Sequence, residues 1–393
     1  MPMADSCSPI RTAFAGMIAM AIVMGIGRFV YTPILPYMVD SIPLSESHAG
    51  LIAAANFFGY LVGSVVSSSE LIRGNRRIWT LWMLGLSVLT TGAMSMTLSI
   101  PNYLLLRFAG GLCSAFVMVF CSAMVLDRLT LAGRPNLSHV HFAGVGSGIA
   151  LSAVIVAGMG AMSVGWAGQW LVAALAGIVG LVAVFVLLQP VGGETPLPTT
   201  NADSKIDRRM IPLSLSYGLF GFGYVITATF ISTLVRQTPS MAPMEPFIWL
   251  AVGLAAIPSV ALWVWVGHLF GNPASMALAC LVEAVGIAAT VLSDSGVAVL
   301  IGGALLGGTF MGITALGMMT ARQLAVSGTR GDPRRMLGLI VAAFGIGQMI
   351  GPAYGGYIAN LTGSFTVPSL TAVAALVIAA GLALLVKDDK INT

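Results

Sequence analysis

The sequence predicts an all-α integral membrane protein with twelve transmembrane helices in two six-helix bundles. Three observations support this fold class. Of the 393 residues, 57% are hydrophobic and only 8% are charged, whereas about 25% are charged in an ordinary soluble domain. Twelve apolar stretches are long enough to span a bilayer, and lysine and arginine concentrate on one side of them.

Each predicted span is an apolar stretch of helical length. A bilayer core about 30 Å thick needs roughly 20 apolar residues in helical form. Helices are expected rather than barrel strands because the stretches are too long and too uniformly apolar, and because lipid cannot satisfy unpaired backbone groups. The predicted spans are 12–38, 48–69, 78–99, 102–126, 139–164, 167–189, 211–235, 247–270, 274–293, 296–320, 336–360 and 364–386.

The distribution of basic residues predicts the orientation. With the N-terminus in the cytoplasm, fifteen lysines and arginines fall in cytoplasmic segments, and only Arg236 falls outside. Positively charged loops stay preferentially on the cytoplasmic side. An even number of spans with both termini in the cytoplasm is therefore expected. The N-terminal stretch has no signal-peptide pattern, so the first span is expected to be retained.

A polar stretch divides the spans six and six. Residues 190–209, rich in Pro, Gly, Thr and charges, are predicted to form a cytoplasmic linker between bundles 1–189 and 210–393. Three glycine pairs recur at offsets of 196 to 201 residues, which suggests a duplicated bundle, a known transporter architecture. The pairs are Gly25 and Gly27 with Gly221 and Gly223, Gly110 and Gly111 with Gly307 and Gly308, and Gly144 and Gly146 with Gly345 and Gly347.

Arg28 in span 1 is the leading candidate for a binding residue, because a charge inside a membrane span is costly and usually functional. Tyr31 follows at i+3, on the same helical face, and Pro33 and Pro36 are expected to kink the outer half of the span. Arg28 is predicted to bind an anion in a central cavity. The alternative is a buried charge paired with carbonyls or with a neighbouring helix.

Two further charges lie inside spans. Arg107 in span 4 is either a second cation of the cavity or a structural anchor. Glu283 in span 9 is the only acid in any span. If span 9 is peripheral, Glu283 cannot easily reach a central cavity, so a structural or minor role is expected over proton coupling.

Other polar residues in the spans provide further candidates. His139 and His141 begin span 5 at the cytoplasmic edge, where they are either proton relays or simply solvated. Polar side chains deep in spans either line a transport path or form hydrogen bonds between helices, and the second role is the commoner one. They are Asn56, Tyr60, Tyr217, Tyr224, Gln348 and Tyr354.

Composition and motifs argue against several other classes of protein. Neither a catalytic constellation nor a phosphate-binding G-x-x-x-x-G-K-[ST] loop is present, so neither an enzyme nor an ATP-driven pump is expected. The four cysteines lack metal-ligand spacing, and neither a metal nor a cofactor is predicted. The net charge of +4 does not indicate a nucleic-acid partner, because the basic residues follow the membrane topology.

Two motifs resemble those of the major facilitator superfamily. Arg107 and Gly111 fit the R-x-x-x-G pattern of span 4. In GIGQMIGPAYGG, residues 345–356, five residues match the glycine–proline motif G-x-x-x-G-P-x-x-G-G: Gly347, Gly351, Pro352, Gly355 and Gly356. In exporters of the superfamily this motif belongs to span 5, whereas here the full form is in span 11. That departure weakens an inference of drug antiport.

Longer segments resemble the YbfB/YjiJ-type subfamily of bacterial transporters. They are GIGRFVYTPILPYM (25–38), AGLIAAANFFGYLVG (49–63) and YGLFGFGYVITATFI (217–231). The resemblance implies the major facilitator fold, a bacterial inner membrane, and a cavity lined by spans 1, 2, 4, 5, 7, 8, 10 and 11. Arg28 and Arg107 would then both face this cavity, which contains no fixed acid.

The expected function is secondary active transport of a small organic anion by alternating access, in a monomer surrounded by lipid. The anion would be held by Arg28 with help from Tyr31, Asn56 and Tyr224, with or without a coupling proton. One alternative is an exporter of lipophilic or drug-like compounds by proton antiport, in which the arginines are structural. Another is a membrane sensor with a transporter fold that binds a ligand without moving it.

Overall fold

The computed structural model describes residues 8–69, 72, 74–189, 208–327 and 333–386. Within these residues, twelve helices are long and apolar enough to cross a membrane, which confirms the predicted fold class. Numbered α1 to α12 in chain order, they are Pro9–Ser41, Glu46–Ser67, Arg76–Met96, Ile100–Leu131, Pro135–Ala161, Trp166–Leu187, Met210–Gln237, Ala242–Phe270, Asn272–Leu292, Gly296–Ala325, Met336–Thr362 and Thr366–Leu384.

The outer surface of the bundle carries large apolar side chains. Trp82 is 73% exposed and Val179 is 71% exposed, and Leu89, Leu105 and Val285 are also well exposed on their helices. A soluble monomer rarely exposes apolar area on this scale. The surface therefore fits a lipid environment, as the composition predicts.

Within each half, a glycine allows the fourth helix to lie directly on the second. A Cβ atom placed on Gly111 of α4 would lie only 1.9 Å from the carbonyl oxygen of Asn56 in α2. A Cβ atom placed on Gly307 of α10 would lie 2.0 Å from the carbonyl oxygen of Val252 in α8. Small residues permit such backbone contact between membrane helices. The two crossings occupy corresponding places in the chain, as expected for a duplicated bundle.

Glycine contacts also join the first six helices to the last six. Gly50 of α2 lies against the Pro352 carbonyl of α11, at 2.2 Å from a Cβ placed on the glycine. Gly253 of α8 lies against the Ala150 nitrogen of α5, at 2.3 Å by the same measure. From the duplicated α4–α2 and α10–α8 crossings, we propose that the halves are 1–189 and 210–393. The predicted linker 190–209 lies outside the described residues except for its last two.

Helix α1 is interrupted where Arg28 lies. Residues Ala21–Ile26 form a π-helical segment, residues 27–30 form a turn, and a regular helix resumes at Tyr31–Ser41. The interruption therefore precedes Pro33 and Pro36, where the sequence predicts a kink. Single π-helical turns within helices occur frequently at functional sites.

Three arginines fix the C-terminal end of α6, immediately before the predicted linker. Arg11 of α1 donates to the Val186 carbonyl at 2.7 Å, and Arg77 of α3 and Arg128 of α4 also donate to backbone carbonyls there. The last carbonyls of a helix have no partner within it, and cations near them are favourable. The other two bonds are Arg77 to Phe185 at 2.8 Å and Arg128 to Gln189 at 2.7 Å.

The two halves meet where α1 and α7 end, at the predicted outer side. Arg236 of α7 forms an ion pair of 2.8 Å with Asp40 of α1 and lies 4.0 Å from Glu245 of α8. Deeper in the same junction, the Thr32 hydroxyl of α1 donates to the Ala228 carbonyl of α7 at 2.7 Å. These contacts close the space between the halves on that side.

We predict that Arg236→Ala loosens this junction. An exposed ion pair contributes only about 0.2–1 kcal/mol. The rate at which a cysteine introduced at Ala228 reacts with a membrane-impermeant thiol reagent should therefore rise by at most about fivefold. If Arg236 acts through Asp40, the double variant with Asp40→Ala should label no faster than Arg236→Ala alone. Additive increases would contradict this assignment. Arg134→Ala, which removes an exposed charge elsewhere, is the control.

Candidate functional site

Arg28 is buried at the interruption of α1, with only 5% of its surface exposed. Its guanidinium carbon lies 4.4 Å from the ring centre of Phe57 and 4.5 Å from that of Tyr60, both on α2. The ring of Phe29 is 5.4 Å away. Arg28 Nη1 donates in a long contact of 3.9 Å to the Met24 sulfur, and the Tyr60 side chain lies close enough to interact with the guanidinium.

The positive charge of Arg28 has no negatively charged partner among the described residues. Its Nε and Nη2 atoms are buried and make no hydrogen bond, and within the described residues no carboxylate pairs with it. A cation–π contact contributes about 0.5–2 kcal/mol, whereas removing an ion from water costs several kcal/mol. The aromatic rings therefore offset only part of the cost. An anion bound to Nε and Nη2 would offset the remaining desolvation cost.

Arg107 of α4 occupies a different position, against the backbone of α1. Its Nη1 donates to the Gly27 carbonyl at 2.9 Å and its Nη2 to the Arg28 carbonyl at 2.8 Å. The turn at residues 27–30 leaves these carbonyls outside the regular helical pattern, and lipid could not satisfy them. The geometry therefore favours the anchoring role for Arg107, which holds the segment carrying Arg28.

Tyr31 and Asn56 also take part in this anchoring. The Tyr31 hydroxyl donates to the Ala49 carbonyl at 3.0 Å, and its ring centre lies 5.1 Å from the guanidinium carbon of Arg107. Asn56 Nδ2 donates to the Arg107 carbonyl at 2.8 Å. Tyr31 thus contacts Arg107, α2 and the Trp170 ring of α6, and the turn after Arg28 places the side chains of Arg28 and Tyr31 in different surroundings.

The last six helices contribute Tyr224 and Gln348. Gln348 Nε2 of α11 donates to the Tyr224 hydroxyl of α7. Both residues are buried, and Tyr224 lies close enough to Arg28 and to Tyr60 for electrostatic interaction. Because the Tyr224 oxygen accepts from Gln348, its own proton remains available to donate. The structure thus brings together Arg28, Tyr60, Tyr224 and Gln348 from the predicted set.

A small cavity beside Arg28 lies between the two halves. It offers about 10 Å³ to the centre of a water molecule, which is room for roughly one water. Four of its lining side chains are aromatic and come from four helices: Phe29, Tyr224, Trp249 and Phe310. The site is therefore closed in this conformation, with apolar walls contributed by both halves.

Glu283 of α9 lies inside the C-terminal half. It is fully buried, and its carboxyl oxygens make no hydrogen bond of ordinary geometry within the described residues, although the Thr309 side chain of α10 lies close enough to interact with them. The carboxyl group is close enough to Tyr224 and Cys280 for electrostatic interaction. Glu283 therefore lies in the interior of the C-terminal half, and the expectation that its role is structural or minor stays a prediction.

The two predicted histidines differ in their surroundings. His139 is partly exposed, whereas His141 is fully buried. The Nε2 atom of His141 lies 2.9 Å from the Ser122 hydroxyl of α4, and its Nδ1 faces Gly16 of α1. His141 therefore joins three helices of the first half, and the contacts given for it do not reach Arg28.

The glycine–proline motif of α11 packs this helix against α7. A Cβ placed on Gly347 would lie 2.0 Å from the Gly218 carbonyl, and one on Gly351 would lie 2.6 Å from the Phe222 carbonyl. Gly355 continues the same face toward Ile226, while the Pro352 carbonyl faces α2. The motif thus brings Gln348 and Tyr224 close together.

Sequence reasoning missed most of the aromatic residues around the site. Phe57 could have been found, because it precedes Tyr60 by three residues and so shares its helical face. Phe29, Trp249 and Phe310 come from three different helices. No local spacing connects them, and in uniformly apolar helices an aromatic residue does not stand out as functional.

Solved structures of membrane transporters share this fold. The nucleoside transporter NupG, solved as a point mutant, matches with a TM-score of 0.72 and 12% identity over 96% of this chain and 100% of that one. A bacterial homologue of the human lysosomal transporter Spinster, inward-facing and occupied, matches with a TM-score of 0.72 and 13% identity over 96% and 97%. The inward-facing unoccupied form of the same homologue matches with a TM-score of 0.66 and 14% identity over 96% of this chain and 97% of that one.

At such low identities, these similarities establish the fold alone. No curated protein matches the sequence. Twelve spans in this fold, with a buried cation beside a cavity between two halves, define the class of secondary membrane transporters. The chain belongs to the family described as "Uncharacterised MFS-type transporter YbfB", whose model matches residues 20–384. It is therefore a multi-pass membrane transporter rather than an enzyme.

We predict that Arg107→Lys destabilises the segment carrying Arg28. Lysine cannot donate to two carbonyls in the fixed fork of a guanidinium, and a hydrogen bond to a charged group contributes about 1.5–3 kcal/mol. Thermal unfolding of the purified protein should show this loss, and amide hydrogen exchange should increase at residues 27–30. Unchanged exchange there would contradict the anchoring role. Arg322→Lys, on an exposed part of α10, is the control.

Proposed function

We propose that this transporter carries a small organic anion and that Arg28 binds the anionic group. The observation that supports the proposal is the buried guanidinium of Arg28, with Nε and Nη2 unpaired among the described residues. A carboxylate accepts two parallel hydrogen bonds from such a donor fork, in a geometry matched to arginine. Binding would supply the counter-charge that the protein itself does not provide.

The site can couple anion binding to movement because its donors come from both halves. Arg28 lies on α1, and the Tyr224 hydroxyl, which accepts from Gln348, lies on α7. An anion between them would add a polar link between the two bundles at the centre of their junction. Contacts on the predicted outer side close the junction in this conformation, so release on that side requires the halves to rock about the site.

Glu283 is the best placed of the three candidate proton-binding residues. Its buried carboxyl group, which lies beside Thr309, is within electrostatic range of Tyr224, whereas the contacts of His141 lie within α1, α4 and α5. A negative charge on Glu283 would disfavour an anion nearby, and a proton on it would remove that repulsion. We propose that a proton bound by Glu283 accompanies the anion.

The membrane is proposed to be a bacterial inner membrane, with both chain ends in the cytoplasm. An even number of spans supports both ends lying on one side, and the basic residues of the sequence favour the cytoplasm for that side. Export of lipophilic compounds is the second candidate function, and the apolar walls of the central cavity favour it. Reconstituted vesicles distinguish the two, by uptake of labelled acids or by extrusion of dyes under an imposed pH gradient.

We predict that Arg28→Ala lowers the affinity for the transported anion at least about 30-fold, or about 2 kcal/mol, because one partner of a buried charge pair is lost. Arg28→Lys should retain part of the affinity. Binding is measured on purified protein by calorimetry, with an anion identified by a thermal-shift screen. Wild-type affinity in both variants would refute the proposal. Arg134→Ala removes the same charge outside the site and serves as the control.

We predict that Glu283→Gln uncouples transport from the proton gradient. Glutamine preserves the size of the side chain, but its amide cannot bind and release a proton in the pH range of a transport assay. Uptake of labelled anion driven by an imposed pH gradient should be lost, while exchange of internal for external anion should persist. Gradient-driven uptake at the wild-type rate would show that the proton binds elsewhere. Asp294→Asn, an exposed acid between α9 and α10, is the control.

A further inference from the structure

We infer that the anion is a monocarboxylate attached to a single planar aromatic ring, an inference that rests on the proposed role of Arg28. The cavity between the halves lies beside this residue, since Phe29 forms part of the cavity wall and also contacts the Arg28 guanidinium. A carboxylate held by Arg28 would therefore place the rest of its molecule among the cavity side chains.

The walls of the cavity are suited to a flat apolar body. Tyr224 and Phe310 are nearly parallel, with ring centres 5.6 Å apart and an interplanar angle of 9°. The ring of Phe29 is inclined to that of Phe310, with an interplanar angle of 70° and ring centres 6.2 Å apart. It is inclined to Trp249 at 56°, with ring centres 6.3 Å apart. An added ring could stack on the first pair and meet the others edge to face, the two arrangements that aromatic pairs prefer.

Few polar groups line this space. Among the side chains lining the cavity, only Tyr224 and Trp249 carry a polar group, and the indole Nε1 of Trp249 is buried without a hydrogen-bond partner among the described residues. A sugar or a polyhydroxylated acid would leave several hydroxyl groups without partners, and burying each of them unpaired is costly. The walls therefore select against a highly polar body, while the Arg28 end selects for a charged group.

The charge balance limits the anion to a single negative charge. Both terminal nitrogens of Arg107 are bonded to the carbonyls of Gly27 and Arg28, whereas Arg28 has Nε and Nη2 unpaired among the described residues. Glu283, near Tyr224, supplies no positive charge for a second carboxylate, whether it is ionised or protonated. A dianion would therefore bring one charge that has no partner.

The closed cavity also favours a planar molecule. Its volume holds roughly one water, so the halves must separate to admit any substrate. A flat ring requires less separation of the walls than a saturated ring with the same number of carbons. Planarity should therefore matter in addition to hydrophobicity.

Four small molecules separate these requirements in binding measurements on the purified full-length protein. Benzoate has every proposed feature, cyclohexanecarboxylate lacks planarity, phthalate has a second charge, and benzamide has no charge. We expect benzoate to bind about 2- to 10-fold more tightly than cyclohexanecarboxylate, which is the range of a specific aromatic contact. Phthalate and benzamide should bind more weakly still.

A variant of the cavity wall tests where the selectivity arises. Phe310→Leu should reduce benzoate affinity to that of cyclohexanecarboxylate and leave the latter nearly unchanged. Trp249→Phe retains an aromatic wall and should preserve the preference, which keeps the test valid if Phe310→Leu folds poorly. Phe365→Leu is the matched control, since Phe365 is a buried aromatic that pairs with Phe230 away from the cavity lining.

The outcomes distinguish this inference from the proposed function. Equal or tighter binding of cyclohexanecarboxylate or phthalate, or no benzoate binding at millimolar concentration, overturns the aromatic monocarboxylate. If a different acid then binds in a manner that depends on Arg28, the proposed function still stands. If benzoate binds equally well to wild type and Arg28→Ala, the anion-binding role of Arg28 fails instead.

Discussion

Lipid offers no hydrogen-bond partner to a polar group, and this constraint governs the centre of the molecule. The interruption of α1 exposes the carbonyls of Gly27 and Arg28, and Arg107 reaches across from α4 to bind both. Asn56 binds the backbone of Arg107 in turn. Arg107 therefore satisfies backbone carbonyls, and Arg28 is left without a negatively charged partner among the described residues.

Close helix contact makes this arrangement possible. Gly111 lets α4 lie on α2, so Arg107 approaches α1 and Phe57 and Tyr60 approach Arg28. Contacts of the same kind join α2 to α11 and α5 to α8 across the two halves. Because backbone packed on backbone cannot be compressed, a change in access is expected to occur by movement of whole bundles rather than by local adjustment.

The chemistry of the site follows from an imbalance between its two ends. At one end a cation is surrounded by aromatic rings that offset only part of its desolvation cost. At the other end, Glu283 is buried near Tyr224 and Thr309. In the proposed function, an anion with an apolar body would satisfy the first end and the cavity walls together, and a proton would satisfy the second. Anion binding and proton coupling would then belong to different residues of one region.

The sequence by itself determined the twelve helices, the major facilitator fold and the family. Predicted spans such as 102–126 fall within the observed Ile100–Leu131 because hydropathy depends only on the length and composition of a segment. The intramembrane charges were also evident. Only the tertiary structure decided that Tyr31 contacts Arg107, that His141 is buried and that Glu283 faces the interior. These helices are apolar on all sides, so their sequences carry little information about which face meets which neighbour, and packing across the whole bundle decides it.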